Sequence, residues 1–217
     1  MAAVPATFSV PSLQDLQQYS VNVANNVEGI RASLYDFQSY AQAGQTGLDF
    51  FQVPQGQSSK TLADTNMPTA GSLPNPMSFL VTNIQIFFFP AAKISILGAD
   101  AIADALNDVQ AVGQGGWLEF YIGSKNYIQE GPIMRFPPKN GLIVSSSMDS
   151  QTTPAASLQT KNSYANFGGA IWELKPPILL NPTQNFRVSL KWPTAVAVSA
   201  LARMGIVMEG LLYRLSQ

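Results

Sequence analysis

The second part of the chain is a series of short apolar segments that are separated by turns of Gly, Pro and Asn. About eight such segments follow residue 77, and the fifteen prolines of the chain lie mostly at segment ends, where they interrupt no ladder hydrogen bond. The clearest hairpin joins Trp117–Ile122 to Tyr127–Arg135 through residues 123–126. Eight strands with this spacing predict a β-sandwich or a barrel rather than an α/β fold.

One predicted strand is apolar on both faces. The stretch that begins at Asn75 reads NPMSFLVTNIQIFFFP, and because successive side chains of a strand alternate, Phe87 and Phe89 share one face while Phe88 lies on the other. A strand in a sheet with one solvated face has a polar side. The pattern therefore predicts that both faces are covered, one by the partner sheet and the other by a neighbouring subunit or an N-terminal helix.

Residues 12–43 show the spacing of a long helix. Ser12 is a good N-cap with Asp15 three residues later, and Gly44 fits the position that follows a helix end. The 3-4 spacing of the apolar residues between them is typical of a packed helix. A helix of roughly 30 residues is about 45 Å long. It either packs along its own domain or reaches another subunit, and the spacing does not distinguish these alternatives.

These patterns divide the chain into two parts. Residues 1–76 form a helical arm and a connector, of which residues 44–76 are rich in Gly, Gln, Ser, Thr and Pro, and residues 77–217 form the β-sandwich domain. A short helix from Asp100 to about Val112 is inserted in the sandwich. The predicted fold class is therefore mainly β, an antiparallel β-sandwich with a long N-terminal α-helix and a short inserted helix.

The composition argues against an enzyme. The chain contains neither histidine nor cysteine, which excludes disulfides, thiolate sites and a Cys nucleophile and removes the usual residue of triads and of most zinc or iron sites. Glu119 and Glu130 are the best pair of carboxylates for a glycosidase-like site, but outward strand positions explain both. We expect no catalytic site, no metal and no cofactor.

Charged residues are unusually few. They make up 12% of the chain, which is about half the usual share. The formal net charge is -1. Such a surface is typical of subunits that are largely covered by neighbours, although a soluble domain with a polar uncharged surface is the alternative. The twelve basic residues form no cluster, so specific binding of nucleic acid is not expected.

Two further groups of residues have a structural and a functional interpretation. Asp100, Asp104 and Asp108 share one face of the inserted helix, which fits either a solvated face or a cation held between subunits. Aromatic residues such as Trp117 and Tyr121 fit either a sandwich core or a surface that stacks on sugars.

Three segments resemble a known class of protein. NPMSFLVTNIQIFF, GGWLEFYIGSKNYIQEGPIMRFPP and IWELKPPILLNPTQNFRVSLKWP resemble the strands and turns of jelly-roll capsid proteins of tailless icosahedral bacterial viruses, over about residues 70–217. The resemblance implies a single jelly roll without an active site. It also implies that the protein assembles with itself, and with other virion proteins, into the capsid of a virion made in the host cytoplasm.

On this hypothesis the best candidates for subunit contacts are apolar residues of the predicted helix and of the phenylalanine run. They are Leu16, Val23, Val27, Ile30, Leu34, Phe37, Phe87, Phe88 and Phe89. The alternative hypothesis is a carbohydrate- or receptor-binding β-sandwich module of a virion spike or tail, for which exposed aromatic residues near Asp or Asn would argue. Whether a membrane lies beneath the shell is left open.

Overall fold

A computed structural model of the chain describes residues 27–90, 99–128, 131–138, 142–151, 158–167 and 171–215. The strands are β1 (Val27–Tyr40), β2 (Gly47–Phe50), β3 (Ser78–Phe89), β4 (Trp117–Ile122), β5 (Lys125–Ile128), β6 (Leu142–Gln151), β7 (Leu158–Phe167), β8 (Glu173–Leu180), β9 (Phe186–Lys191) and β10 (Ala202–Leu215). One α-helix, α1 (Ala99–Gly115), and a short 3-10 turn (Ile133–Arg135) complete the described elements.

Eight of the strands form two antiparallel sheets of four. The first sheet has the order β1-β10-β3-β8, the second sheet has the order β2-β9-β4-β5, and β6 and β7 form a hairpin of their own. The pairing is nested, because β1 pairs with β10, β2 with β9 and β3 with β8. The prediction of a mainly β protein with sandwich-like antiparallel sheets is confirmed.

The core lies between the two sheets and contains residues from both. β9 shows how the sequence builds it, because Phe186, Val188 and Leu190 point inward and are buried while Arg187 is exposed. The same period of two appears in β4, where Leu118 and its alternate neighbours are buried.

The predicted long N-terminal helix is wrong over residues 27–40, which form β1. This strand pairs with β10 along its whole length, from Val27 opposite Leu215 to Tyr40 opposite Ala202. The antiparallel ladder supplies hydrogen-bond partners from a strand at the other end of the chain, and local spacing carries no information about that partner. Residues 12–26 of the predicted helix lie outside the described residues.

A period of two was present in the same segment. Ile30, Ala32 and Leu34 share the inward face of β1, and Ala32 and Leu34 pack with the core, while Arg31 points away and is exposed. The apolar spacing therefore fits a half-buried strand as well as a helix. β1 and β2 precede the predicted division at residue 76. They pair with β10 and β9, which follow it.

The short inserted helix is confirmed as α1, and its C-terminal end is anchored to the segment after β9. The indole N–H of Trp192 donates to the Val112 carbonyl at 3.0 Å. Asp108 accepts hydrogen bonds from the backbone N–H and the hydroxyl of Ser199. The predicted hairpin is also present, although its second strand ends at Ile128. Among the described helices, none has the length and apolar character that crossing a membrane requires.

Candidate interaction surfaces

Three phenylalanines from distant segments meet on the outer face of the first sheet. Phe37 of β1 lies 6.3 Å from Phe87 and 6.1 Å from Phe89 between ring centroids, and Phe87 and Phe89 are stacked 6.0 Å apart. We call Phe37, Phe87 and Phe89 the aromatic cluster. All three are candidate contact residues, and the fold places them side by side.

The aromatic cluster forms because β10, which separates β1 from β3, has a glycine at the crossing point. Gly205 is opposite Phe37 on one side and opposite Phe87 on the other. The Phe37 ring lies over Gly205, and a Cβ atom at this position would overlap the ring. The missing side chain therefore lets rings from two strands that are not neighbours come into contact.

Arg203 holds the edge of the aromatic cluster against the loop that precedes β3. Its guanidinium lies 4.6 Å from the Phe37 ring centroid and donates to the Ala63 carbonyl at 2.7 Å and to an Asp64 carboxylate oxygen at 2.8 Å. The Thr61 backbone N–H and hydroxyl, which both donate to Asp64, lower the pKa of that carboxyl, with a smaller contribution from Arg203. The rings are thus fixed from the side by a charged network.

The outward side of the aromatic cluster remains partly open. Phe89 is 48% exposed, and Leu62, in the same loop as Ala63, is exposed as well. The Leu62 carbonyl accepts a hydrogen bond from the hydroxyl of Tyr35, the residue two positions before Phe37. An apolar surface therefore extends from the end of β3 across β1 to this loop.

Phe88 has the opposite environment. It packs against the core, edge-on to the buried Tyr40 at 5.8 Å between ring centroids. The run Phe87–Phe89 thus divides as its strand geometry predicts. Phe88 contributes to the sandwich interior, and its two neighbours contribute to the outer surface.

Of the remaining candidate contact residues, the described ones belong to β1. Leu34 is buried in the core, so its predicted role as a subunit contact is wrong in this fold, because an inward strand position cannot reach a neighbour. Ile30 lies on the same inward face, and Val27 is the first residue of β1. Leu16 and Val23 lie outside the described residues.

The outer face of the second sheet carries a different kind of surface. Between β4 and β9, Trp117 is opposite Lys191, Glu119 is opposite Ser189 and Tyr121 is opposite Arg187. Between β9 and β2, Ser189 is opposite Asp49. We call these seven residues the polar platform. Its members are polar or aromatic, and they alternate with the buried apolar residues of the same strands.

Glu119 is the centre of the polar platform. One carboxylate oxygen accepts from the Trp117 indole N–H at 3.0 Å, and the other accepts from the Tyr121 hydroxyl at 2.6 Å and from the Lys191 ammonium at 2.6 Å. Desolvation opposes ionisation, but the hydrogen bonds from Lys191, Tyr121 and Trp117 outweigh it and lower the pKa of Glu119 to about 2. Tyr121 and Lys191 each donate their own hydrogen bond to Glu119, and that bond raises the pKa of Tyr121 and the pKa of Lys191.

The sequence suggested two acidic arrangements, the face of Asp100, Asp104 and Asp108 and the pair of Glu119 and Glu130, and the structure describes only part of each. Asp108 is buried and hydrogen-bonded to Ser199, so the interpretation of a solvated Asp face is wrong for this residue. The side chains of Asp100 and Asp104, and all of Glu130, lie outside what the structure describes. Within the described part of the chain, no three acidic side chains form a group that could hold a metal ion.

Sequence reasoning named Trp117, Glu119 and Tyr121 separately but missed their association. The signal was their spacing, since residues two apart on one strand share a face, and Arg187, Ser189 and Lys191 repeat that spacing in β9. Comparison of the chain with models of protein families, with curated proteins and with solved structures finds no match.

Proposed function

We propose that the protein is a non-enzymatic structural subunit of a virion shell, built as a single jelly roll that assembles with copies of itself. The nested strand pairing carries the proposal. If the β6–β7 hairpin is treated as an insertion, eight strands remain, and the first pairs with the last, the second with the next to last, and so on inward. This is how a jelly roll folds its chain into two sheets.

A jelly roll alone does not define a function, because viral capsid proteins, lectins and cupins share the architecture. The composition favours the first of these. Only 12% of the residues are charged, whereas charged residues make up about 25% of a typical soluble domain and keep its surface soluble. A subunit whose outer surface is covered by neighbours does not need that charge.

The aromatic cluster is the surface at which we expect one copy to contact another. Aromatic residues are enriched at the centres of protein interfaces, and Phe89 leaves nearly half of its surface in water. Phe37 and Phe87 are partly buried and held in place, so they need little reordering on binding. Leu62 extends the same apolar surface.

The adjacent residues Phe88 and Phe89 give a matched test of assembly. Phe89→Asp puts a charge on the exposed side of the strand, so we expect the variant to fold and to lose self-association. Phe88→Asp puts an unpaired charge in the core and should cost several kcal/mol, roughly 3 or more. Light scattering coupled to size exclusion, with negative-stain imaging of the same fractions, measures association, and circular dichroism measures folding.

Tyr127→Asp is the control, because Tyr127 is equally exposed but lies on β5 of the other sheet. It should assemble like the natural protein. A natural protein that stays monomeric at all salt and protein concentrations would overturn the assembly proposal. Assembly that survives Phe89→Asp would show that the contact lies elsewhere.

A further inference from the structure

The two aromatic rings of the polar platform are held in place by one carboxylate. Trp117 and Tyr121 flank Glu119 on β4, and both direct their polar edges at its carboxylate, at 3.0 Å and 2.6 Å. Both side chains therefore lean along the strand toward the residue between them. Hydrogen bonds thus fix both rings in position on the outer face of the second sheet.

The charges around these rings cancel. Lys191 pairs with Glu119 at 2.6 Å, and the Arg187 guanidinium lies 4.6 Å from the Tyr121 ring centroid. Asp49 accepts a hydrogen bond from the Ser189 hydroxyl. The polar platform thus contains two basic and two acidic side chains and has no net charge, while offering both donors and acceptors of hydrogen bonds.

We propose that the polar platform binds a neutral oligosaccharide. A sugar ring has an apolar C–H face that packs on an aromatic ring, and its hydroxyl groups both donate and accept hydrogen bonds. Aromatic rings with a few fixed polar groups are what small-ligand sites generally present. Arg187 and Lys191 supply donors, Glu119 and Asp49 supply acceptors, and hydrogen bonds to charged groups are the stronger ones.

Two other classes of ligand fit this surface less well. A peptide that adds as an extra strand needs a free sheet edge, but β4 and β9 each have a partner on both sides. A nucleic acid is held mainly by cations that neutralise its phosphates, but the two cations of the polar platform are balanced by two carboxylates. The fixed aromatic rings and the neutral charge together favour an uncharged sugar.

The surface is independent of the proposed assembly contact, since the polar platform and the aromatic cluster lie on different sheets. The full chain would be titrated with neutral probes (cellohexaose, mannohexaose and chitohexaose) and with charged probes (sialyllactose, a heparin hexasaccharide and a DNA hexamer). Isothermal calorimetry measures binding. Saturation-transfer NMR shows which sugar protons contact the protein.

We expect a neutral hexasaccharide to bind and the Trp117→Leu variant to lose about tenfold or more in affinity, the size of loss that removal of one stacking aromatic brings. Tyr121→Leu should lose a similar factor, and Glu119→Gln, which keeps the size of the side chain, should lose less. Phe89→Asp should bind sugar normally, because it lies on the other sheet, while Trp117→Leu should leave self-association unchanged.

Three results would overturn the inference. One is no binding by any neutral probe at millimolar concentration. The second is binding confined to the charged probes, which would make the surface an anion site. The third is sugar binding that folded Trp117→Leu and Tyr121→Leu variants both retain, which would place the sugar elsewhere on the protein.

Discussion

At the scale of single residues, two carboxylates are surrounded by donors but differ in burial. Asp36 is fully buried on the inward face of β1, where it accepts from the Phe51 backbone N–H at 2.7 Å and pairs with the Lys60 ammonium. Glu119 lies on the outer surface with 17% of its side chain exposed. Loss of the first should therefore cost more folding stability than loss of the second.

Asp36→Ala leaves a nearly buried ammonium without its partner, and breaking such a pair costs about 3–5 kcal/mol. We expect that loss in the free energy of unfolding, measured by urea denaturation. The control is Glu173→Ala, which breaks an exposed pair with Lys175 and should cost about 0–1 kcal/mol. Equal losses for the two variants would contradict the structural role of Asp36.

Glu119 predicts a dependence of stability on pH. Its folded-state pKa of about 2 lies below the ordinary value of 4.5, so the folded state binds the proton less tightly than the unfolded state does. The stabilisation is therefore fully present above pH 4.5 and is lost as the pH falls toward 2.

Glu119→Gln removes that titration. We expect the variant to be less stable by about 1–3 kcal/mol at neutral pH, the range for hydrogen bonds to a charged group. Its difference from the natural protein should shrink between about pH 4.5 and pH 2. Urea midpoints of both proteins across this range measure the effect, and a difference that stays constant with pH would rule out Glu119 as its source.

At the scale of elements, the first sheet depends on glycines in β10. A Cβ atom on Gly205 would overlap the Phe37 ring, and one on Gly210, at the bulge between β10 and β3, would meet the Leu80 carbonyl oxygen. Both glycines are buried, so neither position has free space around it. The strand that joins β1 to β3 is therefore also the strand that sets how closely their outer side chains approach.

Gly205→Ala should displace the Phe37 ring and destabilise the protein by about 1–3 kcal/mol, as overpacking does. Gly47→Ala is the matched control, because its Cβ would meet the nearest atom, the Leu190 carbonyl oxygen, at an ordinary 3.7 Å. Urea denaturation measures both. In a double-mutant cycle, Phe37→Ala should relieve most of the cost of Gly205→Ala, and additive effects would show that the ring is not what the new methyl group meets.

Whether the sequence predicted an element correctly depended on how many periods, strand or helix, fit its apolar residues. β9 alternates strictly between apolar and polar residues, so a period of two was the only fit. In β1, Leu34 and Phe37 also fit a helical seam, and the choice between the two structures depended on β10, which is remote in sequence. The local sequence pattern identifies a strand or a helix only where a single one of these periods fits.

At the scale of the whole molecule, the architecture followed from the turns and apolar segments, but the surfaces did not. Phe37, Phe87 and Phe89 were identified as candidates one by one, whereas their contact requires the strand order and a glycine between them. The polar platform likewise joins residues of β2, β4 and β9. Spacing along one strand was readable from the sequence, and adjacency across strands was not.

The nested pairing also fixes an order of events during synthesis. β1 is made well before its partner β10, because Tyr40 pairs with Ala202, and the two strands are joined along their whole lengths. Contacts between such distant segments form slowly, because a long loop has to close first. A ribosome therefore releases β1 long before the strand that covers its edge exists, and the first sheet can close only after β10 has been made.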